Sequence, residues 1–239
     1  MIEKILSRHL AGYLAFSLLA GVFAQTTEFK SQNEKSTPTY LRGWIVGGGD
    51  PAAVSLMAKG PSEETPLMMS SSVAGEKAIN QGYMENVVGS FQFQLRNGQK
   101  ILQSATAELA ANAAHTVLAW QQDGKWELKV YADGPFVENA MDRPVRLMNF
   151  TENRGTLVSL DNGPEKKVAP NTVQEFKMPA KSASFTVKVL ALDGGPAAQS
   201  SGELDFASYT SAYILVAPDY RGRMRPRVIK GGNLPVVDE

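Results

Sequence analysis

The chain reads as all-β: two tandem β-sandwich domains of immunoglobulin-like or jelly-roll type, produced by internal duplication. Three observations predict this. First, Leu41-Arg42 opens one stretch and Val145-Arg146 opens another, and at that gapless offset of 104 Val158-Ser159-Leu160 falls on Val54-Ser55-Leu56. Second, at an offset of 98, His115-Thr116-Val117-Leu118-Ala119 meets Tyr213-Ile214-Leu215-Val216-Ala217, Gly124 meets Gly222, and Val130-Tyr131 meets Val228-Ile229. Third, short apolar runs alternate with turn residues at regular spacing, the pattern of a β-sandwich. Charged or polar residues held in both copies are assigned to the fold, and those present in one copy are the functional candidates.

The elements follow in order. Residues 1–24 carry Lys4 and Arg8, an apolar stretch from Leu10 to Ala20, and Val22-Phe23-Ala24. This is the pattern of a secretory signal peptide cleaved after Ala24. The apolar run is shorter than the roughly 20 residues of a membrane span. Residues 25–39 are polar and aperiodic, a flexible leader. The first domain covers 40–134, with strands at Tyr40–Val46 and Ala53–Met57. Residues 58–89 have no clean period and read as an insertion in a loop. Phe91–Leu95 alternates apolar and polar residues, and Asn97-Gly98 turns it back into Ile101–Leu109. Ala110–Ala114 reads as a turn. Thr116–Trp120 and Trp126–Tyr131 pair around Asp123-Gly124. Residues 135–142 are a linker, short enough that the domains touch. The second domain, 143–231, reads as strands at Arg143–Phe150, Thr156–Leu160, Lys167–Val168, Thr172–Met178, Ser184–Leu192, Gly202–Phe206, Ala212–Ala217 and Arg225–Ile229. Each copy is expected to hold about seven strands. Residues 232–239 are a C-terminal tail.

Composition narrows the function classes. The 239 residues include no cysteine, so a secreted chain must be held by its cores alone, which suits a bacterial periplasm. Twenty-four basic residues balance 24 acidic ones, which argues against a nucleic-acid partner. Asn149-Phe150-Thr151 fits a glycosylation sequon, placed at the end of a strand.

Residues with catalytic or metal chemistry find bland readings. His9 leaves with the signal, and His115 lies at the start of a strand, so no zinc site of the common kinds and no Cys–His pair is expected. There is no Gly-x-Ser-x-Gly elbow; Ser90 and Ser184 occupy matching places and belong to the fold. Gly47-Gly48-Gly49-Asp50 lacks the Lys-Ser/Thr of a phosphate loop and is a turn. Glu63-Glu64 and Asp219 do not form the fixed carboxylate pair of a glycosidase. Met57, Met68, Met69 and Met84 are the residue type of a copper(I) site but read as gap fillers. The expectation is a protein without cofactor, metal or catalytic residues.

One feature occurs in a single copy. Arg221, Arg223, Arg225 and Arg227 recur at every second position, with Lys230 just beyond. On an extended segment alternate side chains share a face, which gives a cationic stripe. At the offset of 98 the first copy has Asp123, Lys125, Glu127 and Lys129 instead. The stripe is a candidate surface for an acidic protein partner or an anionic polysaccharide; alternatively it protects an edge strand, with the help of Pro226. The other candidates are Trp44, Trp120 and Trp126, all in the first copy, which could bind glycan if exposed on one sheet.

The second copy resembles a known family. Val145-Arg146-Leu147-Met148-Asn149-Phe150-Thr151, Val168-Ala169-Pro170-Asn171, a strand through Phe185 to Val189, Tyr213-Ile214-Leu215-Val216 and Pro226-Arg227-Val228 look like the C-terminal half of the periplasmic alginate O-acetylation accessory protein, the F component. Tyr40-Leu41-Arg42 stands in place of that family's opening strand, while Gly43-Trp44-Ile45-Val46 and the 58–89 stretch depart from its pattern. The resemblance implies a non-catalytic periplasmic adaptor that contacts periplasmic or membrane acetyltransferase components during exopolysaccharide O-acetylation, with no catalytic residues to carry over. The alternative expectation is a secreted polysaccharide-binding module.

Overall fold

The structure is a computed structural model. It describes residues 38–46, 54–61, 64–69, 82–134, 142–151, 154–178, 182–191, 196–206, 209–218 and 224–232. These residues form an all-β, β-sandwich-like fold. The strands are β1 Thr39–Val46, β2 Val54–Lys59, β3 Glu64–Met69, β4 Met84–Asn86, β5 Gly89–Asn97, β6 Lys100–Leu109, β7 Ala114–Gln122, β8 Lys125–Ala132, β9 Arg143–Asn149, β10 Thr156–Leu160, β11 Lys166–Val168, β12 Thr172–Met178, β13 Ser182–Leu190, β14 Pro196–Asp205, β15 Ser211–Pro218 and β16 Met224–Gly231. No helix among the described residues is long and apolar enough to cross a membrane.

Four sheets of four strands result, ordered β4-β1-β7-β8, β3-β2-β5-β6, β12-β9-β15-β16 and β11-β10-β13-β14. Adding eight to each label of the first two gives the last two. The pairings β1–β7 and β9–β15 are parallel, and the remaining neighbours are antiparallel.

Burial shows how the sheets stack. Leu41, Leu56, Phe93, Leu95 and Val117 pack in a core between the two sheets of the first half. Val145, Leu147, Val187, Leu204 and Ile214 do the same in the second. A third core contains Trp44, Val46, Leu118, Trp120 and Tyr131 from the first half with Met148, Phe150, Tyr213 and Leu215 from the second. The sheets carrying β1 and β9 therefore meet face to face, and their central strands are buried on both sides. This is why β1 is buried at every position, whereas β13 alternates.

The turns follow local chemistry. Asp123 and Gly124 both have positive φ (49° and 74°), as a two-residue type I′ hairpin requires. The β5–β6 hairpin differs from the expectation. Asn97 is the last strand residue, paired with Lys100; Gly98 takes the first central position with φ 57°, where only glycine is free of a Cβ penalty. The Ala110–Ala114 stretch is a turn at Ala111-Asn112, as expected.

Two sequence readings are corrected. Residues 58–89 are more than a looped insertion, because they contain β3 and β4, and among the described residues each half has eight strands where about seven were expected. Without alternation, β3 and a three-residue β4 left no periodic signal. The alignment of His115 with Tyr213 is also one residue out. Across β1–β7 Arg42 lies opposite Thr116, and across β9–β15 Arg146 lies opposite Tyr213. Val117 and Ile214 face the outer cores, while Leu118 and Leu215 face the central one. Side chains alternate with period two, so a slip of one residue puts every one on the wrong face. By β16 the offset of 98 holds again, with Tyr131 opposite Thr116 and Ile229 opposite Tyr213.

Candidate functional site

The most heavily charged buried cluster lies where the two central sheets meet. Its centre is Asp133, one residue beyond β8, whose side chain is fully buried. Oδ1 accepts from Arg146 NH1 at 2.8 Å, Ser211 Oγ at 3.0 Å and Tyr213 OH at 2.5 Å. Oδ2 accepts from Tyr83 OH at 2.9 Å and from Thr116 Oγ1. Arg42 NH2 stands 3.6 Å from Oδ2. Tyr83, Thr116 and Arg42 come from the first half; Arg146, Ser211 and Tyr213 come from the second. A carboxylate can be buried only when paired and hydrogen-bonded on most of its lone pairs, and both halves together meet that requirement.

The two arginines occupy matching positions on β1 and β9 but are held differently. Arg146 donates through Nε to Glu175 Oε2 at 2.7 Å, through NH2 to Ala132 O at 3.0 Å, and through NH1 to Tyr213 OH at 2.9 Å besides Asp133. Arg42 donates through Nε to Thr116 Oγ1 at 2.7 Å and through NH1 to Lys230 O at 3.0 Å. Its NH2 has no hydrogen-bond partner among the described residues. Its guanidinium instead lies 4.3 Å from the Trp44 ring centroid and 4.4 Å from that of Tyr83, within cation–π range.

The electrostatics follow from this arrangement. Burial, reinforced by Asp133, pushes the Tyr83 and Tyr213 hydroxyls well above the ordinary tyrosine range, so both remain protonated donors. Burial also pushes Tyr131 up to about 12. For Arg146 burial works toward a lower pKa, but Tyr213, Asp133 and Glu175 outweigh it and raise it. His115 lies beside the cluster; burial lowers its pKa against the pull of Asp133 and a backbone bond to Ala113. Its Nδ1 is buried with no hydrogen-bond partner among the described residues. Among the described residues no three His, Cys, Asp or Glu side chains gather as a metal site would need.

The residues singled out from sequence are placed as follows. Trp44 is fully buried and Trp120 nearly so, both in the central core, and Trp126 is half-buried against the core of the first half. The premise of an exposed tryptophan platform is thus corrected for Trp44 and Trp120. Trp44 instead meets Tyr213 edge-on at 4.9 Å. Of the basic stripe, Arg221 and Arg223 lie outside the described residues. Arg225 and Arg227 are on β16, an edge strand opposite Ala217 and Leu215. Arg227 is half-buried, on the side that faces the central core. Lys230 is exposed and points the other way, its Nζ 5.0 Å from the Tyr209 ring. Hence Lys230 does not share a face with Arg227, while the side chain of Arg225 lies outside the described residues. The sequon is spent on structure. Asn149 is buried, donates Nδ2 to Arg154 O, Val168 O and Ala169 O, and accepts through Oδ1 from Thr151. Met57 is half-buried, while the side chains of Met68 and Met69 lie outside the described residues.

Sequence reasoning named Arg42 and Arg146 only as fold residues and gave no role to Asp133, which it left at the end of the first domain beside the linker. The signal that could have exposed the cluster was the matching arginine in two apolar strands, since a buried guanidinium demands a carboxylate.

No protein-family model matches the chain, and no curated protein matches it. Among solved structures, a leucine-rich repeat protein from Bacteroides thetaiotaomicron aligns with 76% of this chain at 8% identity and a TM-score of 0.21. The alignment covers 26% of that protein's length.

Proposed function

We propose that this is a secreted, non-catalytic periplasmic adaptor in exopolysaccharide O-acetylation of the alginate type, acting through protein–protein contacts. In this reading the signal peptide is removed after Ala24. The two halves are tandem β-sandwich domains of immunoglobulin-like or jelly-roll type that arose by duplication, and the partners are periplasmic or membrane acetyltransferase components. Support comes from the likeness of Val145–Thr151 and the later strands to the F component, and from the repeated strand order of the sheets. The observation that carries the reading is how the chain uses its strongest charges. Arg42, Arg146 and Asp133 are buried where the halves meet, which leaves the outer faces for contact with a partner.

The test is capture of the mature protein with its bound proteins from its own periplasm, read by mass spectrometry. Recovery of an acetyltransferase component that is lost on charge reversal, Arg223→Glu with Arg225→Glu, is the expected result. Retention of that partner by the double variant would reduce the stripe to a protected edge. Capture of nothing, together with binding of an anionic polysaccharide, would replace the adaptor with a glycan-binding protein that does not use Trp44 or Trp120.

A further inference from the structure

The last described residues of the chain reach back into the first half. Lys230 O accepts from Arg42 NH1 at 3.0 Å, and the Gly232 N–H donates to Tyr83 OH at 2.8 Å. Thr210 N donates to Gly231 O at 3.0 Å, which ties this end to the start of β15. The fit leaves no room for a side chain. A Cβ on Gly231 would stand 2.1 Å from Ser211 Oγ and 3.3 Å from Arg42 NH2. On Gly232, where φ is +80°, it would stand 1.9 Å from Thr210 Oγ1 and 2.4 Å from the Asp133 carbonyl oxygen. In the strand order of the two halves Gly231 takes the place at the end of β16 that Asp133 takes just past the end of β8. One half supplies the carboxylate and the other supplies the space for it.

We infer that Lys230-Gly231-Gly232 is a latch: seated against Arg42 and Tyr83, it closes the Asp133 cluster and makes the two halves unfold as one cooperative unit. The argument is one of satisfaction. With the latch withdrawn, Arg42 loses its NH1 bond to Lys230 O and Tyr83 loses the Gly232 N–H donor that orients its hydroxyl toward Asp133. Buried polar groups left in that state are costly, and the cost falls on the joint between the halves rather than inside either core. The latch lies at the end of β16, so the joint is complete only when the chain through Gly232 is in place.

The distribution of tryptophan allows a direct test, because Trp44, Trp120 and Trp126 are all in the first half. Thermal unfolding of the full mature chain is followed by tryptophan fluorescence, which reports the first half together with the face it turns to the second, and by far-ultraviolet circular dichroism, which reports both halves. Coincident transitions identify one cooperative unit. Coincidence is expected for the unaltered protein and for Leu95→Ala, which weakens the first core alone and lowers the midpoint of both probes together. Gly231→Ala and Tyr83→Phe are expected to separate the two midpoints by about 5 °C. If Gly231→Ala fails to fold, Tyr83→Phe decides. Coincident curves for Tyr83→Phe, separate curves for the unaltered protein, or a separation in Leu95→Ala as large as in the latch variants would each overturn the latch.

Discussion

Arg42 and Arg146 stand at the same place in two halves with the same strand order, and both lie over aromatic rings, yet only Arg146 has close carboxylate partners. Arg146 has direct contacts with Asp133 and Glu175. Arg42 reaches the shared carboxylate only at 3.6 Å and rests between Trp44 and Tyr83. The two guanidiniums are matched by one buried acid, Asp133, and one half-exposed acid, Glu175, so a further buried acid would be a surplus negative charge in a dry interior. Gly231, packed too closely for any Cβ, is where the second half does without one. The lesson is that equivalent positions can keep the same residue while dividing its partners unequally.

Removing the shared element should have the largest effect. Asp133→Ala leaves two buried guanidiniums without their acid and is expected to cost about 3–5 kcal/mol in chemical denaturation; a cost near zero would mean that the cluster does not unite the halves. Next, Arg146→Met should destabilise more than Arg42→Met, because only Arg146 makes a close ion pair. About 3 kcal/mol against about 1 is expected, and equal losses would erase the distinction between the two sites. Glu175→Gln should cost under about 1 kcal/mol, since that carboxylate is 42% exposed and screened by solvent. A larger loss would show that Arg146 depends on its outer partner rather than on Asp133.

The smallest effect concerns His115. Burial lowers the pKa of its imidazole in the folded chain, so the unfolded chain takes up the proton first as pH falls through the ordinary value of 6.5. Stability from this group is therefore intact above that value and declines on acidification. His115→Gln should flatten the profile of denaturation midpoint against pH in that window, and an unchanged slope would assign it to carboxylates.

The strands were legible where one face meets a core and the other meets water, as in β5 and β13, because alternation marks them. The paired openings at Leu41-Arg42 and Val145-Arg146 were legible because matching residues sit in matching strands. The slip between β7 and β15 was not. Both strands are buried on both faces, so their apolar runs look alike at any register, and only pairing with β1 and β9 fixes which residue faces which core. The cluster was hidden for a related reason. Asp133 follows its strand and precedes Gly134-Pro135, a local context that reads as a connector, while its partners Tyr83 and Tyr213 are far away in sequence. The tryptophans misled because nothing in their neighbourhoods told a core ring from a surface platform before the two central sheets were seen to meet.

The bracket at Asn149 has a consequence for handling the protein. Its side-chain amide clasps three carbonyls at the end of β9, yet the tripeptide from Asn149 to Thr151 is what an oligosaccharyltransferase reads on a nascent chain. In a eukaryotic secretory host the sugar would be added to that amide before β9 folds, and a glycosylated amide cannot enter a buried site. Such a host is expected to yield retained, misfolded material, and Thr151→Val would remove the sugar and leave the amide free for its three carbonyls, with loss of the Thr151 hydroxyl's bonds to Asn149 Oδ1 and Arg154 O. A bacterial host does not meet this conflict.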